Sequence, residues 1–169
     1  MMPQAKPASK PSLLSASARA EIDRWIAKYP PDRKQSAVMA ALSITQEQNG
    51  GWLSSDLIEA VAEYLDMAPV AVHEVATFYS MYDLKPVGRH KICVCTNISC
   101  QLRGSDKIIG HLQATLGIKI GETTPGGKFT LKEVECLAAC GGAPMMMIGR
   151  TYHENLTPEK VDRILKDLE

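Results

Sequence analysis

All five cysteines of this 169-residue chain lie between residues 93 and 140. Cys95 and Cys100 form a C-x4-C pair, and Cys136 and Cys140 form a C-x3-C pair. The 35 residues between the pairs are enough for a helix, a turn and a strand. Two short-range cysteine pairs that a fold brings together make a four-thiolate site, so this half of the chain must place both pairs at one point.

The composition indicates a folded chain from a reducing compartment. Hydrophobic residues make up 45% of the chain, which is typical of globular proteins. An odd number of cysteines does not fit a secreted disulfide framework, so we infer the cytosol, with thiols available to bind a metal. Lys and Arg together equal Asp and Glu at 19 each, which argues against a nucleic-acid binder. No apolar run approaches the length of a membrane span.

The first half of the chain predicts a tail and a small helical bundle. Residues 1–14 are rich in Pro, Lys, Ser and Ala and predict a flexible tail. Residues 15–83 carry apolar side chains at helical spacing in four segments, which begin near Ser17, Arg33, Ser55 and Pro69. Asp56 and Glu59 have the spacing of a capping box. We interpret this bundle as a packing domain without chemistry, and residues 83–88 as the boundary that ends it.

Residues 88–169 alternate between strand and helix patterns. Residues 91–96 are apolar on both faces, which predicts a central, covered strand. The elements predicted after it are a helix capped by Ser105, a strand over 129–135, a strand over 145–148, a possible short strand near Tyr152 and a helix capped by Thr157. This order is compatible with a thioredoxin-like topology. The predicted fold class is α+β, with a small helical bundle followed by a thioredoxin-like α/β domain.

Four thiolates can hold either a tetrahedral zinc ion or a 2Fe–2S cluster. Zinc ribbons most often use C-x2-C pairs, and the spacings of four and three favour the larger two-iron group. The plant-type ferredoxin spacing C-x4-C-x2-C is absent, and so is the C-x-x-C of thiol–disulfide exchange. On spacing alone, zinc, disulfides and uncommitted thiols all stay open.

Several residues near the cysteine pairs could contribute to a metal site, and for each of them a purely structural interpretation is simpler. Cys93 lies inside an apolar strand, which favours a small buried hydrophobic residue over a ligand. The three methionines at 145–147 are interpreted as strand core, with a dry wall beside the site as the alternative. Residues 89–91, Arg-His-Lys, could offset the charge of a cluster, although solvated surface is the simpler interpretation for at least two of them.

Three segments are informative through their residues as well as through the cysteine spacing. They are ATFYSMYDLKPVGRHKICVCTNISC, LGIKIGETTPGGKFTLKEVECLAAC and YHENLTPEKVDRIL. They resemble the 2Fe–2S E subunits of NADH–quinone oxidoreductase (respiratory complex I), and the likeness covers nearly the whole chain after the tail. The resemblance implies that Cys95, Cys100, Cys136 and Cys140 are the ligands of one 2Fe–2S cluster in a thioredoxin-like α/β ferredoxin domain over 88–169. Ala138 stands where the family usually has Gly.

The resemblance also implies a function. The chain would be an electron-carrier subunit without catalytic residues that docks on a flavoprotein, which holds FMN and binds NADH, and accepts single electrons from that flavin. Other peripheral-arm subunits would be partners, on the cytoplasmic side of the bacterial inner membrane and without a membrane span of its own. The equivalent subunit of an NAD-linked hydrogenase or formate dehydrogenase is an alternative, and a zinc-stapled interaction module is one from a different class.

Overall fold

The computed structural model describes residues 13–168, so the predicted tail lies outside the described residues except for its last two. Leu14 is buried against the first helices, and the packed part of the chain therefore begins before residue 15. The chain divides into two compact units, one ending at Pro86 and the other beginning at Val87.

The first unit is the predicted helical bundle. Its helices are α1 Ala16–Ile26, α2 Val38–Gln48, α3 Ser55–Tyr64 and α4 Pro69–Phe78, with a short 3-10 helix at Lys34–Ala37. Its largest fully buried side chains are aliphatic: Leu14, Ile22, Leu42, Leu53, Ile58, Val61 and Leu65. Each contributes roughly 1.5–3 kcal/mol on burial, which is the main force that holds four short helices together.

One predicted helix cap and one predicted helix start in this unit need correction, whereas the starts near Ser55 and Pro69 are confirmed. The α3 cap is Ser54, whose hydroxyl oxygen accepts a hydrogen bond from the Leu57 N–H at 3.3 Å. Asp56 lies two residues after the cap, inside the first turn, where its charge faces the positive end of the helix dipole. The second helix becomes α-helical only at Val38, because a 3-10 segment precedes it. Pro69 occupies the first turn of α4, as predicted.

The second unit is a four-stranded sheet with helices. The strands are β1 His90–Cys95, β2 Phe129–Val134, β3 Met146–Ile148 and β4 Thr151–His153, in the order β2-β1-β3-β4. The pair β1–β2 is parallel, and the pairs β1–β3 and β3–β4 are antiparallel. The helices are α5 Ile98–Leu102, α6 Ser105–Leu116 and α7 Pro158–Asp167. The apolar strand β1 is interior to the sheet, as its two apolar faces predicted.

The ends of the helices in this unit show where sequence patterns succeed and fail. Thr157 caps α7 as predicted, accepting a hydrogen bond from the Lys160 N–H at 3.3 Å. Ser105 does not cap α6, because Gly104 holds that position with a left-handed φ of 96° and Ser105 is buried. Helix α5 was not predicted at all. Within residues 13–168, no helix is long and apolar enough to cross a membrane.

Candidate metal centre

Three segments of the second unit meet at one edge of the sheet. Strands β1 and β2 are parallel with Cys95 opposite Val134, so both strands end at this edge. Cys136 follows two residues after Val134. Strand β3 runs antiparallel to β1, which places Met145, the residue before it, at the same edge. The Cys95 N–H donates a hydrogen bond to the Met145 carbonyl at 3.2 Å. Sheet register therefore brings both cysteine-bearing segments together.

The first cysteine pair is buried. Cys95 ends β1 and Cys100 lies on α5, and together with Ala143 and Met145 they form an apolar cluster of their own. Burial and a hydrogen bond with the Cys95 thiol raise the pKa of Cys100 to about 11, against a smaller opposing effect of the Met145 N–H. The Cys100 thiol is thus protonated at neutral pH, and a bound metal must displace that proton.

The second cysteine pair lies on an exposed loop that has a defined backbone. Cys136 and Cys140 are both exposed, whereas Leu137 and Ala139 between them pack against the apolar cluster. The N–H of Ala138 donates a hydrogen bond to the Cys136 sulfur at 3.3 Å. Ala138 reaches this position with a left-handed φ of 57°. The loop therefore presents two thiols to solvent while its apolar residues face inward.

The structure brings the predicted ligands together to different degrees. Cys95 and Cys100 are in contact, and the charge of Cys140 is close enough to raise the pKa of Cys100 further. All five cysteines lie in the described part of the chain, and none forms a disulfide there. Residues 13–168 contain no group of three or more His, Cys, Asp or Glu arranged to hold a metal ion. The four-residue ligand set stays a prediction.

The donor chemistry at this edge fits a 2Fe–2S cluster. Thiolates are its usual ligands, and N–H groups that point at sulfur stabilise its negative charge. Met145 is fully buried and packs with Cys95 and Cys100, which is the arrangement that the alternative interpretation, a dry wall beside the site, requires. Met146 belongs to the main core of the sheet, as predicted.

The other neighbours take positions away from this edge. Cys93 is 4% exposed in the middle of β1, opposite Lys132 and Met147, which confirms its prediction as a buried residue. Arg89 precedes β1, and His90 and Lys91 begin it, so all three lie about 13 Å or more along the strand from Cys95. Arg89 is exposed and the other two are half-buried, and this separation gives no support to a role as charge partners of a cluster.

Two residues beside the cysteines were missed from the sequence. Arg103 donates a hydrogen bond from Nε to the Ala143 carbonyl at 3.2 Å, and Tyr152 donates one from its hydroxyl to the Leu137 carbonyl at 2.9 Å. Both partners are backbone carbonyls, which leave no mark in a sequence. The position of Arg103 three residues after Cys100 was the one available signal.

A parallel strand pair extended by an antiparallel hairpin, with cysteines where strands end, defines a thioredoxin-like ferredoxin domain. The sequence profile described as thioredoxin-like [2Fe-2S] ferredoxin matches residues 22–169. The chain belongs to this family. Membership supports a 2Fe–2S cluster over a zinc ion at the cysteine edge.

Two relatives show how far the similarity reaches. The chain is 50% identical over 143 residues to the E subunit of the NADH-quinone oxidoreductase of Rickettsia bellii, covering 85% of this chain and 86% of the relative. It is 43% identical over 148 residues to the mitochondrial NADH dehydrogenase [ubiquinone] flavoprotein 2 of Dictyostelium discoideum, covering 88% of this chain and 60% of that one.

The fold also resembles part of a solved structure. An NAD+-reducing [NiFe]-hydrogenase in the air-oxidised state superposes with a TM-score of 0.66 over 78% of this chain, at 19% identity. The chain spans 22% of that hydrogenase chain. At this level of identity the similarity concerns the fold alone.

Proposed function

We propose that this chain is the electron-transfer subunit of an NADH–quinone oxidoreductase complex. In this proposal Cys95, Cys100, Cys136 and Cys140 hold one 2Fe–2S cluster. The observation that carries the proposal is the 50% identity, across 85% of the chain, to a relative named as the E subunit of an NADH-quinone oxidoreductase. The common sheet edge at which the two cysteine-bearing segments lie supports it.

The proposed cluster site has one side that is buried and one side that is exposed to solvent. Cys95 and Cys100, packed with Ala143 and Met145, exclude water from one side of the site. The loop that carries Cys136 and Cys140 is exposed and forms the side that a partner can approach. When bound, a 2Fe–2S cluster takes up and releases one electron at a time. Burial and N–H donors to sulfur are the means by which this chain would set its potential.

The proposed partner is a flavoprotein subunit that holds FMN and binds NADH. NADH delivers two electrons as a hydride, so a flavin must divide the pair before a one-electron carrier can take part. The chain would act as a carrier that itself performs no catalysis. It would lie with other peripheral-arm subunits on the cytoplasmic side of the bacterial inner membrane.

The two alternative functions have less support. The hydrogenase similarity rests on fold at 19% identity, whereas the relatives named as NADH-quinone oxidoreductase subunits reach 50%. A zinc-stapled interaction module conflicts with membership of a 2Fe–2S family.

Electron transfer to the flavoprotein tests the proposal directly. The chain is reduced with dithionite under anaerobic conditions, freed of excess reductant, and mixed with its oxidised flavoprotein partner while the paramagnetic signal of the reduced cluster is followed. The signal should disappear with the FMN-loaded partner and persist with the same protein stripped of FMN. A signal that persists in both mixtures, although the two subunits co-purify, would contradict the proposal.

A further inference from the structure

The loop that carries the second cysteine pair, residues 136–143, is held both by bonds within it and by contacts from other elements. Residues 136–139 belong to no helix or strand, and Cys140–Gly142 is a single 3-10 turn. The bonds within the loop are short-range: they run from the Ala138 N–H to the Cys136 sulfur at 3.3 Å, from the Gly142 N–H to the Ala139 carbonyl at 3.0 Å and from the Ala143 N–H to the Cys140 carbonyl at 3.3 Å. Short exposed segments with few internal bonds open easily unless other elements restrain them.

Two side chains from distant parts of the sequence bind carbonyls at opposite ends of this loop. The Tyr152 hydroxyl, on β4, binds Leu137, which directly follows Cys136. The Arg103 guanidinium, which follows α5, binds Ala143, three residues after Cys140. The backbone N–H of Asn155 adds a third restraint, a 2.6 Å hydrogen bond to the Gly142 carbonyl.

We infer that Tyr152 and Arg103 are positioning residues that clamp the Cys136–Cys140 loop against the buried Cys95–Cys100 pair. This inference rests on the proposed function, because a clamp matters when four thiols must meet one 2Fe–2S cluster. When ligands are held in place before the cluster binds, binding does not incur the loss of conformational entropy that ordering a mobile loop would cost.

Arg103 connects the chain segments that carry the two cysteine pairs. It lies three residues after Cys100, so its bond to the Ala143 carbonyl ties the segment of the first pair to the segment of the second. Tyr152 fixes the other end of the loop to β4, which is itself paired with β3. The two donors therefore restrain the loop from independent elements.

Conservative variants of the full-length purified chain separate the clamp from general packing. Tyr152→Phe removes one hydroxyl from a side chain that is 49% exposed, and Arg103→Lys keeps the charge but loses the fixed Nε donor. Matched controls are Tyr29→Phe in the first unit and Arg163→Lys on the exposed face of α7. Amide hydrogen exchange at residues 136–143 should become roughly three- to tenfold faster in the two clamp variants, as expected for the loss of one hydrogen bond.

The holo chain gives a second readout that a general loss of packing would not produce. Both clamp variants should lose their cluster to a chelator roughly three- to tenfold faster than the wild type. Their paramagnetic spectrum and reduction potential should also shift, while thermal unfolding and both controls stay as in the wild type.

The outcomes distinguish this inference from the proposed function. A wild-type chain that holds a 2Fe–2S cluster, with clamp variants unchanged in exchange, cluster lifetime and spectrum, would overturn the inference alone. Faster cluster loss with an equal fall in overall stability and an unaltered spectrum would also overturn it, because the residues would then serve packing only. A wild-type chain that takes up no 2Fe–2S cluster would overturn both.

Discussion

The Cys95 N–H donates a 3.2 Å hydrogen bond to the Met145 carbonyl, and the Met145 N–H in turn bonds the Cys100 thiol. One buried residue thereby contacts both members of the first cysteine pair through its backbone. Met145 follows the second pair by five residues, so the same contact also fixes the far end of the second segment. The candidate site is built by the register of β3 on β1 and not by a disulfide between any of its cysteines.

Cys136→Ser and Cys93→Ser form a matched pair for the ligand assignment. We expect Cys136→Ser to impair cluster assembly, because a serine hydroxyl is a poor replacement for a thiolate ligand. Cys93→Ser should retain the cluster and lose about 1–3 kcal/mol of stability, because it places a hydroxyl in a buried strand. Iron content and urea unfolding measure the two effects. Loss of the cluster in the Cys93 variant alone would reverse the assignment.

Ala138, which stands where the family usually has Gly, has a backbone conformation that favours glycine. Its φ of 57° is left-handed, which costs an alanine about 1–2 kcal/mol relative to glycine. Ala138→Gly should therefore stabilise the cysteine loop, by roughly 0.5–1 kcal/mol after the added chain entropy of glycine. Ala139→Gly is the control, because Ala139 has a φ of −116° and should be destabilised. The two variants are compared by the lifetime of the cluster in the presence of a chelator. Equal effects of both variants would contradict the claim that the backbone is strained at Ala138.

Gly88 and Gly110 test the packing of the second unit independently of the metal. A Cβ at Gly88 would lie 2.8 Å from the Phe129 carbonyl carbon, whereas one at Gly110 on α6 would meet no atom within 4 Å. Gly88→Ala should destabilise the chain by about 1–3 kcal/mol through backbone crowding. Gly110→Ala should stabilise it by about 0.5–1 kcal/mol, because alanine favours helix. Denaturant unfolding measures both, and a neutral Gly88→Ala would contradict the close approach of residues 88 and 129.

Sequence patterns predicted the elements whose burial is strongly periodic or whose ends carry a specific side chain. Strand β1 is apolar on both faces and became the interior strand, while Pro69 and Thr157 marked helix starts correctly. Helix α5 escaped because it has five residues and Ile98 and Leu102 on it are exposed, so no apolar stripe marks it.

The candidate site was predictable in its parts and not in its assembly. Cysteine spacing and the resemblance singled out the four thiols, and strand ends placed each pair. Strand order and register decide which segments meet, and these depend on long-range packing. Arg103 and Tyr152 donate to backbone carbonyls, and Met145 accepts through its own backbone carbonyl. Every residue has such a carbonyl, so these contacts cannot be recognised from the sequence.

We expect the contribution of Tyr64 to the stability of the folded chain to depend on pH. Burial, together with a 2.7 Å hydrogen bond to Asp23, raises the pKa of Tyr64 from 10.0 to about 12. The folded state thus holds this proton more tightly than the unfolded state, so the stabilisation is complete below pH 10 and is lost as the pH rises toward 12. The stability difference between wild type and Tyr64→Phe should shrink over that window.

Chemical denaturation of both proteins at a series of pH values measures that difference. Tyr29→Phe, at an exposed position of the same unit, serves as the control for the removal of a tyrosine hydroxyl. A constant difference between wild type and Tyr64→Phe up to pH 12 would show that the hydroxyl is not protected in the folded chain.

The content of the cysteine site tests the central claim most directly. Metal and acid-labile sulfide analysis of the chain purified without oxygen, paired with paramagnetic resonance of the reduced sample, identifies what the thiols hold. A 2Fe–2S cluster predicts about two irons and two sulfides per chain, no zinc, and a signal that appears on one-electron reduction. A colourless chain with about one zinc ion and no sulfide would contradict the account.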